Sequence, residues 1–254
     1  MQSQKKFLGL QSQHDPNEKK VPVMSEVATS SYIVDVYGNE GFSKDLIEII
    51  YSLNEIVFKS GEEMWGNLCY DRKEANTNFI NSFPEQNNLL KSRRRNLARI
   101  VPHLESIIEI GFNAGHSAAL WLMMNDKINY YGIDTAKDKY MNSCASFMKD
   151  KFGERFNLFI GDSRTEMKVI DKKINQKIDL IHIDGGHSYE LVCSDLIDSI
   201  NISKKLNTKF ILLDDTNLSR VRSAANKYII KGLLQSESLN GSWESIASSL
   251  LRIL

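Results

Sequence analysis

Acidic side chains in this 254-residue chain recur where short apolar runs stop. Glu109, Asp134, Asp162, Asp184 and Asp214 stand at the ends of SIIEIG (106–111), INYYGID (128–134), FNLFIGD (156–162), IDLIHIDG (178–185) and KFILLDD (209–215). One Asp after a strand is ordinarily the cap of the next helix. Five in succession, 25, 28, 22 and 30 residues apart, are harder to read as caps alone. If the fourth and fifth runs are neighbouring strands, about 4.8 Å apart, Asp184 and the Asp214–Asp215 pair converge on one point. Like charges gathered there repel unless a cation is present or a proton is taken up. Carboxylate-only ligation suits magnesium and suits zinc poorly, so these three are candidate metal ligands. His187, in Asp184-Gly185-Gly186-His187-Ser188-Tyr189, is a candidate general base, histidine being the side chain that most readily exchanges a proton near neutrality.

A second constellation precedes it. Glu109-Ile110-Gly111-Phe112-Asn113-Ala114-Gly115 joins the first apolar run to a helical segment. Gly111 permits a sharp turn, and Gly115 lets the next helix come close to a ligand. The G-x-x-x-G spacing differs from the G-x-G-x-x-G of dinucleotide sites. The preceding Glu and the bulky Phe112 suit a ligand without phosphates. Asp134, about 20 residues beyond Gly115, is placed to accept from two ribose hydroxyls. Asp162, in Gly161-Asp162-Ser163, is placed to accept from an exocyclic adenine amine.

On these residues, the stretch from about 105 to 217 resembles the class I S-adenosylmethionine-dependent methyltransferases. Within them it is similar to the branch of metal-dependent small-molecule and sugar O-methyltransferases. The resemblance covers slightly under half of the chain. It implies that Glu109, Gly111, Asn113 and Gly115 surround the methionine part of the cofactor, Asp134 the ribose, and Asp162 and Ser163 the adenine, with Asp184 at the methyl-transfer end. It implies that Asp184, Asp214 and Asp215 hold magnesium, which would bind two adjacent acceptor oxygens and lower the pKa of the attacking one. His187, together with Asp184, is the candidate catalytic group. Asn113 departs from the pattern, since many relatives have Gly there. The readings in competition are a metal-independent N- or C-methyltransferase and a non-catalytic cofactor-binding scaffold subunit.

The elements that must position these groups follow from periodicity. Nearly continuous apolar runs alternating with helical segments predict a Rossmann-like, doubly wound, mostly parallel α/β sheet. Functional groups then lie beyond the strands' carboxyl ends. LLQSESL, a turn at Asn240-Gly241 and SSLLRIL predict a C-terminal antiparallel hairpin. Helical spacing from Phe42 to about Phe58, capped by Ser43, and a basic helix from Leu89 to about Ile100 predict a helical cap over 31–100 that recognises the acceptor. Residues 1–30, polar and without periodicity, are expected to be a flexible tail, and 101–254 the catalytic domain. In the basic helix, Arg93-Arg94-Arg95 reads as a solvated face. Trp65 and Tyr70 could stack on an acceptor, Trp121 reads as helix packing, and His116 and His182 as structural histidines.

Composition narrows the partners. Thirty-two basic and 32 acidic residues balance, which disfavours nucleic-acid binding through the overall field. Cys69, Cys144 and Cys193 form no CxxC pair or disulfide framework. No apolar run approaches the roughly 20 residues that span a bilayer, and no secretory signal opens the chain. The expectation is a cytoplasmic protein that takes a small-molecule acceptor, without nucleic acid or membrane as a partner, and with homo-oligomerisation left open.

Overall fold

A computed structural model describes residues 7–8, 27–34, 39–238 and 247–254. Four short strands come first: β1 (Phe7–Leu8), β2 (Val27–Ala28), β3 (Tyr32–Val34) and β4 (Glu40–Ser43). They pair antiparallel in the order β1-β4-β3-β2. The expected flexible tail therefore contributes two paired segments, and residues 1–6 and 9–26 of it lie outside the described residues. Helix α1 (Lys44–Ser60) starts where Ser43 accepts a hydrogen bond from the Leu46 N–H, and stops at Gly61 in the left-handed region. Helix α2 (Asn88–Ile100) is capped in the same way by Asn87.

The five apolar runs form β5 (Ser106–Ile110), β6 (Asn129–Asp134), β7 (Phe156–Ile160), β8 (Leu180–Ile183) and β9 (Phe210–Leu213). After them come α3 (His116–Met124), α4 (Met141–Phe152), α5 (Ser163–Lys173), α6 (Tyr189–Leu206) and α7 (Ser219–Ile230). Strands β10 (Leu234–Glu237) and β11 (Ser249–Ile253) complete a seven-stranded sheet of order β10-β11-β9-β8-β5-β6-β7. β5 to β9 are parallel, while β11 runs antiparallel to both β9 and β10. The C-terminal hairpin is thus present; its expected turn at Asn240-Gly241 lies outside the described residues. The direction of winding reverses between β5 and β8, where a doubly wound sheet opens a crevice. No helix among the described residues is long and apolar enough to cross a membrane.

Side chains alternate across each strand, so the sheet has two apolar faces. Ile108, Ile110, Ile181, Ile183, Ile211 and Leu213 pack with α5, α6 and α7. Ile107, Leu180 and Leu212 face the other way, toward α3, α4 and the first hundred residues. Tyr32, Phe42, Leu46, Leu53 and Tyr70 share one cluster with Ala118, Trp121 and Tyr130. The cap therefore has no core of its own. Burial of α1 residues such as Leu46 and Leu53 contributes about 1.5–3 kcal/mol each and fixes the cap on the sheet.

Two arginines of the Arg93-Arg94-Arg95 run depart from expectation. Arg94 is 0 % exposed, and the Arg93 side chain only 10 %. The physical reason is that α2 is enclosed on several sides. Leu90, Leu97 and Ala98 are buried together with the polar Ser92 and Asn96, so consecutive positions must all find partners.

Candidate active site

A cavity of about 1160 Å³ lies between the cap and the carboxyl ends of the parallel strands. Its walls include Trp65, Tyr70 and Arg93 from the cap, and Gly111, Asn113, Asp134, Asp162, Ser163, Asp184, His187 and Asp215 from the strand ends. Gly111 has φ +102°, and a Cβ there would meet the Asp184 carbonyl oxygen at 2.1 Å. The turn after β5 therefore passes close to the end of β8 only because the residue is glycine. Gly115 (φ +84°) comes similarly close to the Phe112 ring. Asn113 takes the left-handed conformation at φ +51°, which Asn tolerates better than most residues. Its Oδ1 accepts from the Tyr140 hydroxyl at 2.7 Å.

Asp134 ends β6 and fastens this turn. Its Oδ2 accepts from the N–H groups of Phe112 (3.0 Å) and Asn113 (2.8 Å), and Oδ1 accepts from Ala136 N–H at 2.9 Å. Asp162 caps α5 and accepts from the Arg164 backbone and guanidinium, which hold its carboxyl down at about 2. Glu109 lies elsewhere. It belongs inside β5, does not line the cavity, and is 0 % exposed. Trp121 Nε1 donates to its Oε1 at 3.2 Å, the Tyr130 hydroxyl donates to Oε2, and His182 Nδ1 lies 2.8 Å from Oε1.

From Glu109 a polar row continues across the cap-facing side of the sheet. Glu109 and His182 are register partners on β5 and β8. His182 Nε2 lies 3.8 Å from Asp214 Oδ2, just past β9. Burial opposes protonation of His182, but Asp214 and Glu109 on its two sides prevail and raise it to about 10. Arg93 reaches down from α2 and ends the row, with Nε 3.3 Å from Asp214 Oδ1 and a terminal nitrogen donating to Asp215 Oδ1. His187 Nε2 lies 2.7 Å from the other Asp215 oxygen. Burial works against the Asp215 charge, yet His187 and Arg93 hold its carboxyl at about 2. Asp184, half-buried and close to Asp214, is pushed well above the carboxylate range by desolvation and by its acidic neighbour.

Residues 108–216, slightly under half of the chain, match the family model of a methyltransferase domain. Over those residues the chain is similar to methyltransferase domains. Solved structures agree on the fold. The methyltransferase PaMTH1 of Podospora anserina, solved with S-adenosylhomocysteine, is 12 % identical, with a TM-score of 0.55 over 84 % of this chain and 89 % of that one. An O-methyltransferase from Bacillus cereus, also solved with S-adenosylhomocysteine, is 12 % identical, with a TM-score of 0.52 over 84 % of this chain and 92 % of its own. No curated protein matches the chain in sequence.

The acid cage differs from the one expected for magnesium. Ligand atoms of His182, Asp184 and Asp214, and of Asp184, His187 and Asp215, do lie within 4.8 Å of one another. Yet Asp214 and Asp215 each face the Arg93 guanidinium through one oxygen and a histidine nitrogen through the other. Magnesium requires free oxygen ligands in near-octahedral array and excludes a cationic side chain from its shell. The donor set as it stands does not fit that ion.

Two groups at the candidate site escaped the sequence reading. Arg93 is one. The other is Asp195 on α6, at the cavity wall and 1 % exposed, whose Oδ1 accepts from the Ser163 hydroxyl at 2.6 Å. Its Oδ2 has no partner. Burial raises Asp195 to about 6. The native state thus holds this proton more tightly than the unfolded chain, where the group titrates near 3.9. The resulting stabilisation is complete below about pH 4 and lost as pH rises through about 6. Asp195→Asn is accordingly expected to raise stability by up to about 3 kcal/mol at pH 7.5 and to leave it unchanged at pH 4. Urea unfolding at the two pH values checks this, and equal effects at both would remove the charge explanation.

Proposed function

We propose that this protein transfers a methyl group from S-adenosylmethionine to a hydroxyl of a small molecule. The observation that supports this most is a cavity whose walls include both the glycine turn with Asp134 and the His187–Asp215 pair. Its volume exceeds what one nucleoside-sized ligand fills, so an acceptor can share it.

S-adenosylmethionine, when bound, supplies a methyl group already activated on a sulfonium. Its fit to the chain rests on the close turn at Gly111 and on carboxylates at successive strand ends. Gly111, Asn113 and Gly115 would shape the methionine end, Asp134 would take the ribose, and Asp162 and Ser163 the adenine. The chain's remaining task is to hold a hydroxyl in line, remove its proton and keep water out. Positioning alone can supply roughly 7–11 kcal/mol. With Nε2 on an ionised Asp215, His187 keeps Nδ1 as the basic nitrogen. His187 takes the hydroxyl proton, Asp215 orients the ring, and the cap covers the site. Magnesium has no step here, because the cage does not fit it.

Calorimetry with S-adenosylhomocysteine tests the first half of the reading. Uptake by the wild-type protein is expected, and Asp134→Ala should weaken it roughly 10–100-fold, the loss of hydrogen bonds to a charged acceptor. A protein that takes up neither the methyl donor nor its demethylated product would sink the proposal.

A further inference from the structure

We infer that Arg93 takes the place of a divalent cation in this methyltransferase: its guanidinium, carried by the cap, neutralises the Asp214–Asp215 cage and is the charge against which the acceptor oxygen binds. This deepens the hydroxyl-directed reading above and rests on it, narrowing it to a metal-independent reaction.

Geometry supports it first. Ligand atoms lie within 4.8 Å of one another in each of two groups that share Asp184, one containing Asp214 and the other Asp215, so the pair stands beside places where a cation could be shared. Arg93 meets the pair from the side, with one nitrogen 3.3 Å from Asp214 and another donating to Asp215. An arginine stays charged at any working pH, so the cage has a permanent counter-charge and does not depend on an exchangeable ion.

Anchoring supports it next. An ion could enter only if Arg93 withdrew. The following residue, Arg94, ties the same turn of α2 to Glu40 and to the carbonyls of Leu68 and Glu85, all in the cap. That buried lock resists the turning of α2 that withdrawal would require. Arg93 and His187 both line the cavity, so fixed charge and candidate base face the same volume. Such a pairing favours a phenolic or enolic hydroxyl, whose oxygen becomes negative as its proton leaves, and disfavours a cationic amine.

Manganese binding decides the matter without an acceptor. Mn²⁺ is titrated into the full chain, with and without S-adenosylhomocysteine, and the bound ion is followed by electron paramagnetic resonance. Wild type is expected to show no site. Arg93→Met should acquire one, with affinity raised roughly a hundredfold or more by loss of the opposing charge. Asp214→Asn in that background should abolish it. Arg93→Lys, which keeps a fixed charge in the cage and guards against a folding failure of the first variant, should stay closed to the ion. A wild-type Mn²⁺ site that Asp214→Asn removes would overturn the inference. So would a folded Arg93→Met protein, verified by circular dichroism, that takes up no ion. Uptake of S-adenosylhomocysteine by the same samples reports on the functional reading separately, since the Mn²⁺ result is read whether or not that nucleoside binds.

Discussion

Arg94→Met is expected to destabilise the protein by about 3–5 kcal/mol, because it strands a buried carboxylate. Arg94 is 0 % exposed and its partner Glu40 1 %. Nε donates to Glu40 Oε1 at 3.1 Å and a terminal nitrogen donates to Oε2 at 2.5 Å. The guanidinium also donates to the carbonyls of Leu68 and Glu85, both at 2.6 Å. Methionine fills much of the same volume but satisfies none of these acceptors. Glu40 would keep the Tyr32 hydroxyl as a donor, which is too little to solvate a full charge. The pair itself need not stabilise the fold relative to an apolar pair of similar size. Glu40→Leu combined with Arg94→Met is therefore expected to recover part of the loss, and the two carbonyls left without donors keep the recovery incomplete. Urea unfolding of the two single variants and the double variant measures the coupling. A loss under about 1 kcal/mol for Arg94→Met would mean that water reaches the pair.

The sheet was legible because its signals are local. Each parallel strand is a short apolar run flanked by helical segments, and each predicted run contains its observed strand, as with 178–185 around Leu180–Ile183. The strand ends carried most of the site for the same reason. Asp162, Asp184 and Asp214 lie just beyond β7, β8 and β9, and Asp134 is the last residue of β6. Glu109 looked alike in sequence but lies one residue inside β5, on the face toward Trp121 and Tyr130, and its carboxylate is used there. The signal that could have separated it is parity. Glu109 and His182 interrupt apolar strands at register-matched positions and so point to the same side of the sheet.

Arg93 and Arg94 could not be placed by local rules. A run of three arginines on a helix normally faces water. Here the partner of Arg94 lies 54 residues earlier, and that of Arg93 lies 122 residues later. Only the packing of α2 between the β3–β4 segment and the end of β9 brings them together. The same long-range packing turns an expected metal cage into one that already contains a cation. Ser43 shows the opposite case: a cap acts three residues away and was read directly.

His187→Gln is expected to lower kcat by roughly 10²–10⁴, the usual contribution of a positioned general base, with little change in S-adenosylhomocysteine affinity. The expectation follows from the two sides of the imidazole. Nε2 faces Asp215 Oδ2 at 2.7 Å, and Asp215 stays ionised beside Arg93. That arrangement fixes the proton on Nε2 and leaves Nδ1 to accept one. Glutamine keeps a donor for Asp215 but has no basic nitrogen, so structure is retained while proton transfer is lost. Asp215→Asn removes the orienting charge and should reduce kcat less than His187→Gln. A structural role for His187 would also tolerate poorly any change of side chain, so a loss of rate alone does not decide between them. Added imidazole does. His187→Ala leaves space for a free base beside the acceptor, and turnover should rise with imidazole concentration, more steeply at higher pH where more imidazole is unprotonated. Wild-type turnover in His187→Gln, or an His187→Ala protein indifferent to imidazole, would shift the proton-accepting role to another group at the cavity wall.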